Sequence, residues 1–242
     1  MARRRGWATP PDPRGIGAAM IVRPLVSMGA EHVPLQIIDD AHPAPDALRR
    51  TALDRDFRRL PGDFYPGLRA DIPDDYADWL SGALNDLGSF GHVTTMRASF
   101  AVATDDPAAL APIQRIPHFD TPDPGVFAAI HYLCDPPHGG TSFYRHRRTG
   151  YQRINAERQP AWRQALVQDG KVHGLPPARY MADSDERFER IGTADLRFNR
   201  LILYPANCLH AGNLAQGWRE EAGMATARLT VTSLLSMPGM VA

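Results

Sequence analysis

The 242-residue chain predicts a mainly β fold, a sandwich or barrel with flanking helices that form an N-terminal buttress. Three observations carry this expectation. From Val93 onward the sequence breaks into short β-type runs, "VTTMRASFAVAT", "GVFAAIHYLC", "GTSFYRHR", "RFNRLILYP" and "RLTVTSLLS", punctuated by Pro and Gly. Ahead of them stand two segments of helical period. Proline is abundant, 22 residues, against an average share of ~5%, and it is spread between the runs instead of massed in one tract.

Taken in order, the start "MARRRGWATPPDPRGIG" has an arginine cluster followed by Pro, Gly and charge, with no apolar stretch of the kind a secretory signal needs. Residues 1 to about 30 are expected to be a flexible tail, and 31–242 a single domain. "HVPLQIIDDA" (32–41) reads as a strand. "APDALRRTALDRDFRRL" (44–60) reads as an amphipathic helix with Leu48, Ala52, Leu53 and Phe57 on one face. A Pro/Gly-rich loop follows. "DDYADWLSGALNDLG" (74–88) is a second helix, acidic in its first turn, apolar through Tyr76, Trp79, Leu80, Ala83, Leu84 and Leu87, and ended by Gly88. Between strands, "PAWRQALVQDG" and "DSDERFERIG" look helical and flank "GLPPARYMAD", so 156–192 is expected to lie over one mouth as a lid-like insertion.

Composition narrows the partners. Lys plus Arg and Asp plus Glu are both 27, for a formal net charge of zero, so no overall field draws the chain to nucleic acid or to an anionic membrane. No run approaches the roughly 18–20 apolar residues of a membrane span. A small-molecule or peptide substrate is the default, and a monomer and a homodimer remain equally open. The two cysteines, Cys134 and Cys208, cannot make a disulfide framework and sit in apolar runs, which favours a reducing, cytoplasmic setting.

Chemistry concentrates in "RIPHFDTPDPGVFAAIHYLCDPPHGGTSFYRHR" (115–147), which holds His118, His131, His138 and His146 of the chain's nine histidines. Strand alternation puts His118 and Asp120 on one side with Phe119 on the other. Alone, this pair reads more readily as a hydrogen-bonded strand end than as a metal site. A third ligand is best sought in "RFNRLILYPANCLHAGN", where His210 follows an apolar strand and a Pro-containing turn and is flanked by small residues. Two neutral imidazoles and one carboxylate on one side of a metal make the facial triad of non-haem Fe(II) oxygenases.

The order of His118 and Asp120, then "IHYLCDPPHGGTSFYRHR", the distal "YPANCLHAGN" and the late strand "ARLTVTSLL" resembles the prolyl-4-hydroxylase-like branch of the 2-oxoglutarate- and Fe(II)-dependent dioxygenases. The entry "LQIIDDAHPAPDALRR" is also similar, so the likeness spans about 34–236. More narrowly, "GGTSFYRHRRTGY" with "FNRLILYPANCLHAG" resembles a bacterial domain-of-unknown-function family within that superfamily. The resemblance implies a double-stranded β-helix of jelly-roll or cupin-like type. It implies Fe(II) on His118, Asp120 and His210, and 2-oxoglutarate and O2 as co-substrates. It further implies hydroxylation of an unactivated C–H in a small molecule, amino acid or peptidyl side chain, with release of succinate and CO2. A carboxylate at Asp120 disfavours halogenation, while desaturation and cyclisation stay open.

A buried dicarboxylate also needs a cation at its far end, and the planar fork of Arg suits it. Arg228, opening "RLTVTSLL", is favoured, with Thr230 two residues on as a hydroxyl donor. Arg219 in "QGWREEAG" is the rival. Tyr132 resembles a strand tyrosine that contacts the co-substrate, and reads equally as a half-buried strand aromatic. His131 is expected to be packed or surface-exposed, and His138 to sit in a turn. Arg145, His146, Arg147 and Arg148 could clamp an anionic substrate, although a solvated strand end fits them better. Cys208 could face the pocket, and Asn199 and Asn207 could orient ligands. The competing functions are a cupin-like metalloenzyme independent of 2-oxoglutarate and a catalytically inactive binding module of the same fold.

Overall fold

Alternation along each strand decides which side is buried, and here it builds two antiparallel sheets. The structure, a computed structural model, describes residues 20–214 and 226–240. The larger sheet contains Ile21–Val22 (β1), Val26–Met28 (β2), Val33–Asp39 (β3), Gly67–Asp71 (β4), Thr94–Ala103 (β5), Val126–Tyr132 (β6), Leu201–Pro205 (β9) and Arg228–Ser236 (β11). Its order is β1-β3-β9-β6-β11-β5-β4, with β2 paired to β3. The smaller sheet, from Thr141–His146 (β7), Phe188–Ala194 (β8) and His210–Gly212 (β10), runs β10-β7-β8.

In β6, Val126, Ala128 and Tyr132 turn toward the small sheet and join Phe143, Tyr204 and Cys208 in one core cluster. Phe127, Ala129 and Leu133 turn the other way. There they meet Leu48 and Ala52 of helix Pro45–Leu53 (α1) and Tyr76, Leu80 and Leu84 of helix Asp74–Asp86 (α2). β11 repeats the pattern: Leu229, Val231 and Leu235 go to the helices, while Thr230, Thr232 and Leu234 face the space between the sheets. The predicted helical buttress thus covers the outer face of the large sheet. Gly88, at φ +66°, takes the left-handed conformation just beyond the end of α2.

Three local expectations change. α1 ends at Leu53, well short of residue 60, because the chain turns extended so that Arg58 and Arg69 can exchange backbone bonds of 2.8 and 2.9 Å. The loop after it hides edge strand β4, whose Gly67 lies so close to β5 that a Cβ there would meet the Val102 carbonyl at 2.0 Å. "DSDERFERIG" is not helical. The Asp185 carboxylate accepts the Arg187 and Phe188 amides at 2.8 and 2.7 Å, turning the chain into β8, where Glu189 pairs with Arg145 across the strands. The first half of the interval does form a helix, Gln159–His173 (α3), whose Trp162 and Leu166 pack on Tyr144, Phe188 and Leu209 at the outer face of the small sheet.

Within the expected tail, Ile21–Val22 and Val26–Met28 form the strands β1 and β2; residues 1–19 lie outside the described residues. Asp39 at the end of β3 is fully buried and bonded by Arg23 at 2.8 Å and Arg200 at 2.6 Å, with Arg197 at 3.4 Å. Burial alone would raise its carboxyl pKa, but the arginines hold it below the ordinary range. Among the described residues no helix is long and apolar enough to cross a membrane.

Candidate metal centre

The backbone brings His118 and His210 together. They form an isolated antiparallel bridge in which each amide donates to the other's carbonyl, at 2.9 and 2.8 Å. Two residues on, the Asp120 amide donates to the Ala206 carbonyl at 2.8 Å, so the His-x-Asp segment is fastened to the chain leading into β10 at both ends. The result is a cluster of two imidazole nitrogens and one carboxylate oxygen lying within 4.8 Å of one another. Asp120 Oδ1 is 3.9 Å from His118 Nε2, and Oδ2 is 3.7 Å from His210 Nε2.

Both imidazoles are disposed to act as ligands. His210 Nδ1 donates to the Cys208 carbonyl at 3.0 Å, and since a carbonyl only accepts, the proton sits on Nδ1 and Nε2 presents its lone pair to Asp120 and His118. Desolvation on its cavity side, then neighbouring His210, push the His118 imidazole down to about 4, while half of the side chain still meets solvent and limits that effect.

The cluster lines a cavity between the sheets that also contains Arg228, Thr230 and Thr141. Arg228 is buried, with Nε and Nη2 donating to the Gly139 and Gly140 carbonyls, both at 2.9 Å. Glycine is required at these two positions because a Cβ would meet the Asn213 and Ala194 carbonyl oxygens at 1.7 and 1.8 Å. No carboxylate pairs with Arg228 among the described residues. A buried cation held only by carbonyls is costly until an anion joins it. Thr230 is buried beside it with a long 3.4 Å contact to the Ala101 carbonyl.

Tyr132 lies under Arg228, with the guanidinium carbon 5.4 Å from the ring centroid. Its hydroxyl is engaged with Thr141 Oγ1 at 2.8 Å, so at that point the cavity wall is Thr141. Arg219 lies outside the described residues. Cys208 packs in the core between the sheets, offering its carbonyl, not its thiol, to the site. His131 faces the helices, bonded to the Tyr76 hydroxyl at 3.1 Å and Asn199 Oδ1 at 3.0 Å, which occupies Asn199 away from the cluster. Asn207 has a buried amide oxygen without a hydrogen-bond partner. His138 meets the Thr226 carbonyl at 2.8 Å. The basic run is already committed: Arg145 pairs with Glu189, Arg148 and His146 with Asp169, and Arg147 with the Asp185 carbonyl.

Among the cavity residues that escaped the sequence reading are Tyr65, Arg69, Arg97 and Tyr204. The Tyr65 hydroxyl is shut off from solvent near Arg228 and Thr230 without a well-formed hydrogen bond, and the Tyr204 hydroxyl is likewise unpartnered. Tyr204 sits beside the cluster, its ring 4.8 Å from that of His210. Two orphaned hydroxyls, an unpaired guanidinium and a mixed nitrogen and oxygen donor set suit a metal with an anionic, oxygen-rich ligand. Tyr204 could have been found from the alternation of "LILYP". Tyr65 and Arg69 could not, because the Pro/Gly-rich loop and the short strand β4 that place them carry no clear periodicity.

A family model described as a family of unknown function, DUF6445, matches residues 21–235. No curated protein matches the chain. Among solved structures, HygX from Streptomyces hygroscopicus with nickel and 2-oxoglutarate bound is 11% identical with a TM-score of 0.50, covering 84% of this chain and 82% of that one. AviO1 from Streptomyces viridochromogenes Tue57 is 13% identical, TM-score 0.42, covering 84% and 90%. SnoN, a non-heme alpha ketoglutarate dependent epimerase from nogalamycin biosynthesis, is 13% identical, TM-score 0.43, covering 83% and 76%. The likeness to HygX is one of overall fold.

Proposed function

The chain belongs to the DUF6445 family, and from that premise we propose that it is a non-haem Fe(II)- and 2-oxoglutarate-dependent oxygenase of the prolyl-4-hydroxylase-like kind. In this reading the two facing sheets are a double-stranded β-helix. The observation that carries the proposal is the placement of unpaired, buried Arg228 in the same cavity as His118, Asp120 and His210.

His118, Asp120 and His210 would hold Fe(II) on one side and leave its other positions open. Arg228 would take the far carboxylate of 2-oxoglutarate through the part of its fork not used by Gly139 and Gly140, with Thr230 and the Tyr65 hydroxyl as further donors. Tyr132 would floor that pocket and brace Arg228 from below. Ala128, Ile130 and Leu234 line the cavity with hydrocarbon and would keep water from the reacting C–H bond. When bound together, Fe(II), 2-oxoglutarate and O2 supply the oxidising power, with succinate and CO2 released and hydroxylation of an aliphatic C–H as the outcome.

The experiment is anaerobic addition of Fe(II), then 2-oxoglutarate, to metal-free protein, followed by the visible charge-transfer band of the chelate. A band that weakens in Arg228→Ala supports the proposal. Tight iron binding without a band favours a cupin-like metalloenzyme that does not use 2-oxoglutarate. Absence of iron binding reduces the chain to a binding module.

A further inference from the structure

The large sheet presents a second cationic group to the cavity, centred on Arg97 at the far end of β11 from Arg228, with Arg69 standing between them. Across the antiparallel pairs, Thr230 stands opposite Ala101, Thr232 opposite Ser99 and Leu234 opposite Arg97. Arg97 and Ser99 share the face turned into the cavity. Arg69 reaches over the same face from β4, donating from Nη1 to Thr232 Oγ1 at 2.7 Å and to Ser99 Oγ at 3.3 Å. Its guanidinium lies over the Tyr65 ring, 4.5 Å from the centroid, and its Nε is bonded to Asp63.

Asp63 is thereby taken by Arg69. Arg97 has no ion-pair or hydrogen-bond partner among the described residues, although it is close enough to Asp63 for its charge to be felt there. Two guanidinium groups and one carboxylate leave a single positive charge in excess at this corner. Arg228 and Leu234, the residue facing Arg97, are six residues apart along β11, roughly 20 Å of strand. A five-carbon diacid anchored at Arg228 and at the metal would leave Arg97 unused. Toward Arg97 the cavity lining carries the hydrocarbon of Ala128, Ile130 and Leu234 beside the hydroxyls of Thr232 and Ser233.

We propose that the compound oxidised at this centre is an organic acid, whose single carboxylate is held by Arg97 with Arg69 beside it while its hydrocarbon portion lies over Ile130 and Leu234 toward the metal. The inference rests on the oxygenase reading above and adds the substrate class to it. One negative charge balances the corner, whereas a phosphate dianion would overshoot it.

The test uses full-length protein loaded anaerobically with Fe(II) and 2-oxoglutarate. The probes are hydrophobic monocarboxylic acids, aliphatic, aromatic and N-acylated amino acids among them, each matched with its primary amide. Binding is read by calorimetry and by perturbation of the visible band. At least one acid is expected to bind while its amide does not, and Arg97→Gln is expected to weaken that acid by about tenfold to a hundredfold. Arg97→Lys should recover part of the loss, and 2-oxoglutarate should bind both variants as it binds the parent. Arg97 is exposed, so neither substitution threatens folding.

Equal binding of every acid and its amide, no binding across the panel, indifference to Arg97→Gln, or acids that displace 2-oxoglutarate would each overturn the inference. If 2-oxoglutarate itself fails to bind, the oxygenase reading falls. The acid and amide comparison on protein loaded with Fe(II) alone then still decides whether Arg97 holds a carboxylate.

Discussion

His118 and His210 face each other as a hydrogen-bonded backbone pair, and their rings stand 4.4 Å apart at 49° as a consequence. The spacing of the two imidazoles is therefore set by main-chain bonds of 2.9 and 2.8 Å, not by side-chain contacts alone. A site framed in this way is organised before a metal arrives, and Asp120 completes it without forming a hydrogen bond of its own with the two rings.

Replacing Asp120 or His210 by Ala should abolish Fe(II) binding while leaving the fold intact. The loss should exceed the roughly 10–100-fold that removal of an outer-sphere partner costs. Calorimetric titration with Fe(II) under anaerobic conditions measures it, and an unchanged circular dichroism spectrum separates it from unfolding.

Arg228→Ala should weaken 2-oxoglutarate by about 2 kcal/mol or more, roughly 30-fold in Kd, as expected when one partner of a buried charge-assisted pair is cut away. Arg228→Lys should recover little of this, because one ammonium cannot meet both the Gly139 and Gly140 carbonyls and a carboxylate. Titration of the charge-transfer band gives both values.

Gly140→Ala should destabilise the fold by about 1–3 kcal/mol or more, since its Cβ would press on the Ala194 backbone. The same change should loosen Arg228 and lower 2-oxoglutarate affinity. A thermal melt and the band titration read the two effects on one sample.

Stability should fall as pH drops below neutrality. His131 is fully buried, and desolvation pushes its imidazole down to about 3, partly opposed by the hydrogen bond its Nε2 donates to Asn199 Oδ1. The unfolded chain takes up a proton near its ordinary value of 6.5, so below that pH the unfolded state binds more protons and gains on the folded one. The contribution is fully present above about 6.5 and is lost progressively toward the folded value. His42, pushed down to about 4 mainly by burial, acts with the same sign. Melting temperatures across pH 4–7.5 should slope downward on the acid side, and His131→Leu should flatten the slope while costing about 1–3 kcal/mol for the stranded Tyr76 hydroxyl, Asn199 keeping its bonds to His42.

Much of the layout was legible because it rests on short-range periodicity. The alternation of "VFAAIHY" places Tyr132 and His131 on opposite faces, and the 3.6-residue period of 74–86 buries Tyr76, Leu80 and Leu84. β4 was not legible: prolines and glycines surround it, and its partner β5 supplies the order that its own residues do not encode. "DSDERFERIG" misled in the opposite direction. Its charges suit a helix surface as well as a cross-strand pair, and only the presence of Arg145 on the neighbouring strand selects the latter.

By itself the sequence determined the residue types that could form a metal centre, namely His118, Asp120 and His210, and the alternation that turns Arg228 and Thr230 to one side of a strand. The tertiary structure decided what else meets them. It commits Arg145 and Arg148 to local acids, occupies the Tyr132 hydroxyl with Thr141, and brings Tyr65, Arg69, Arg97 and Tyr204 to the cavity from strands and a loop far apart along the chain. The physical reason is one of range. Periodicity fixes the face a side chain occupies within a few residues, whereas pairing of distant strands fixes which faces meet.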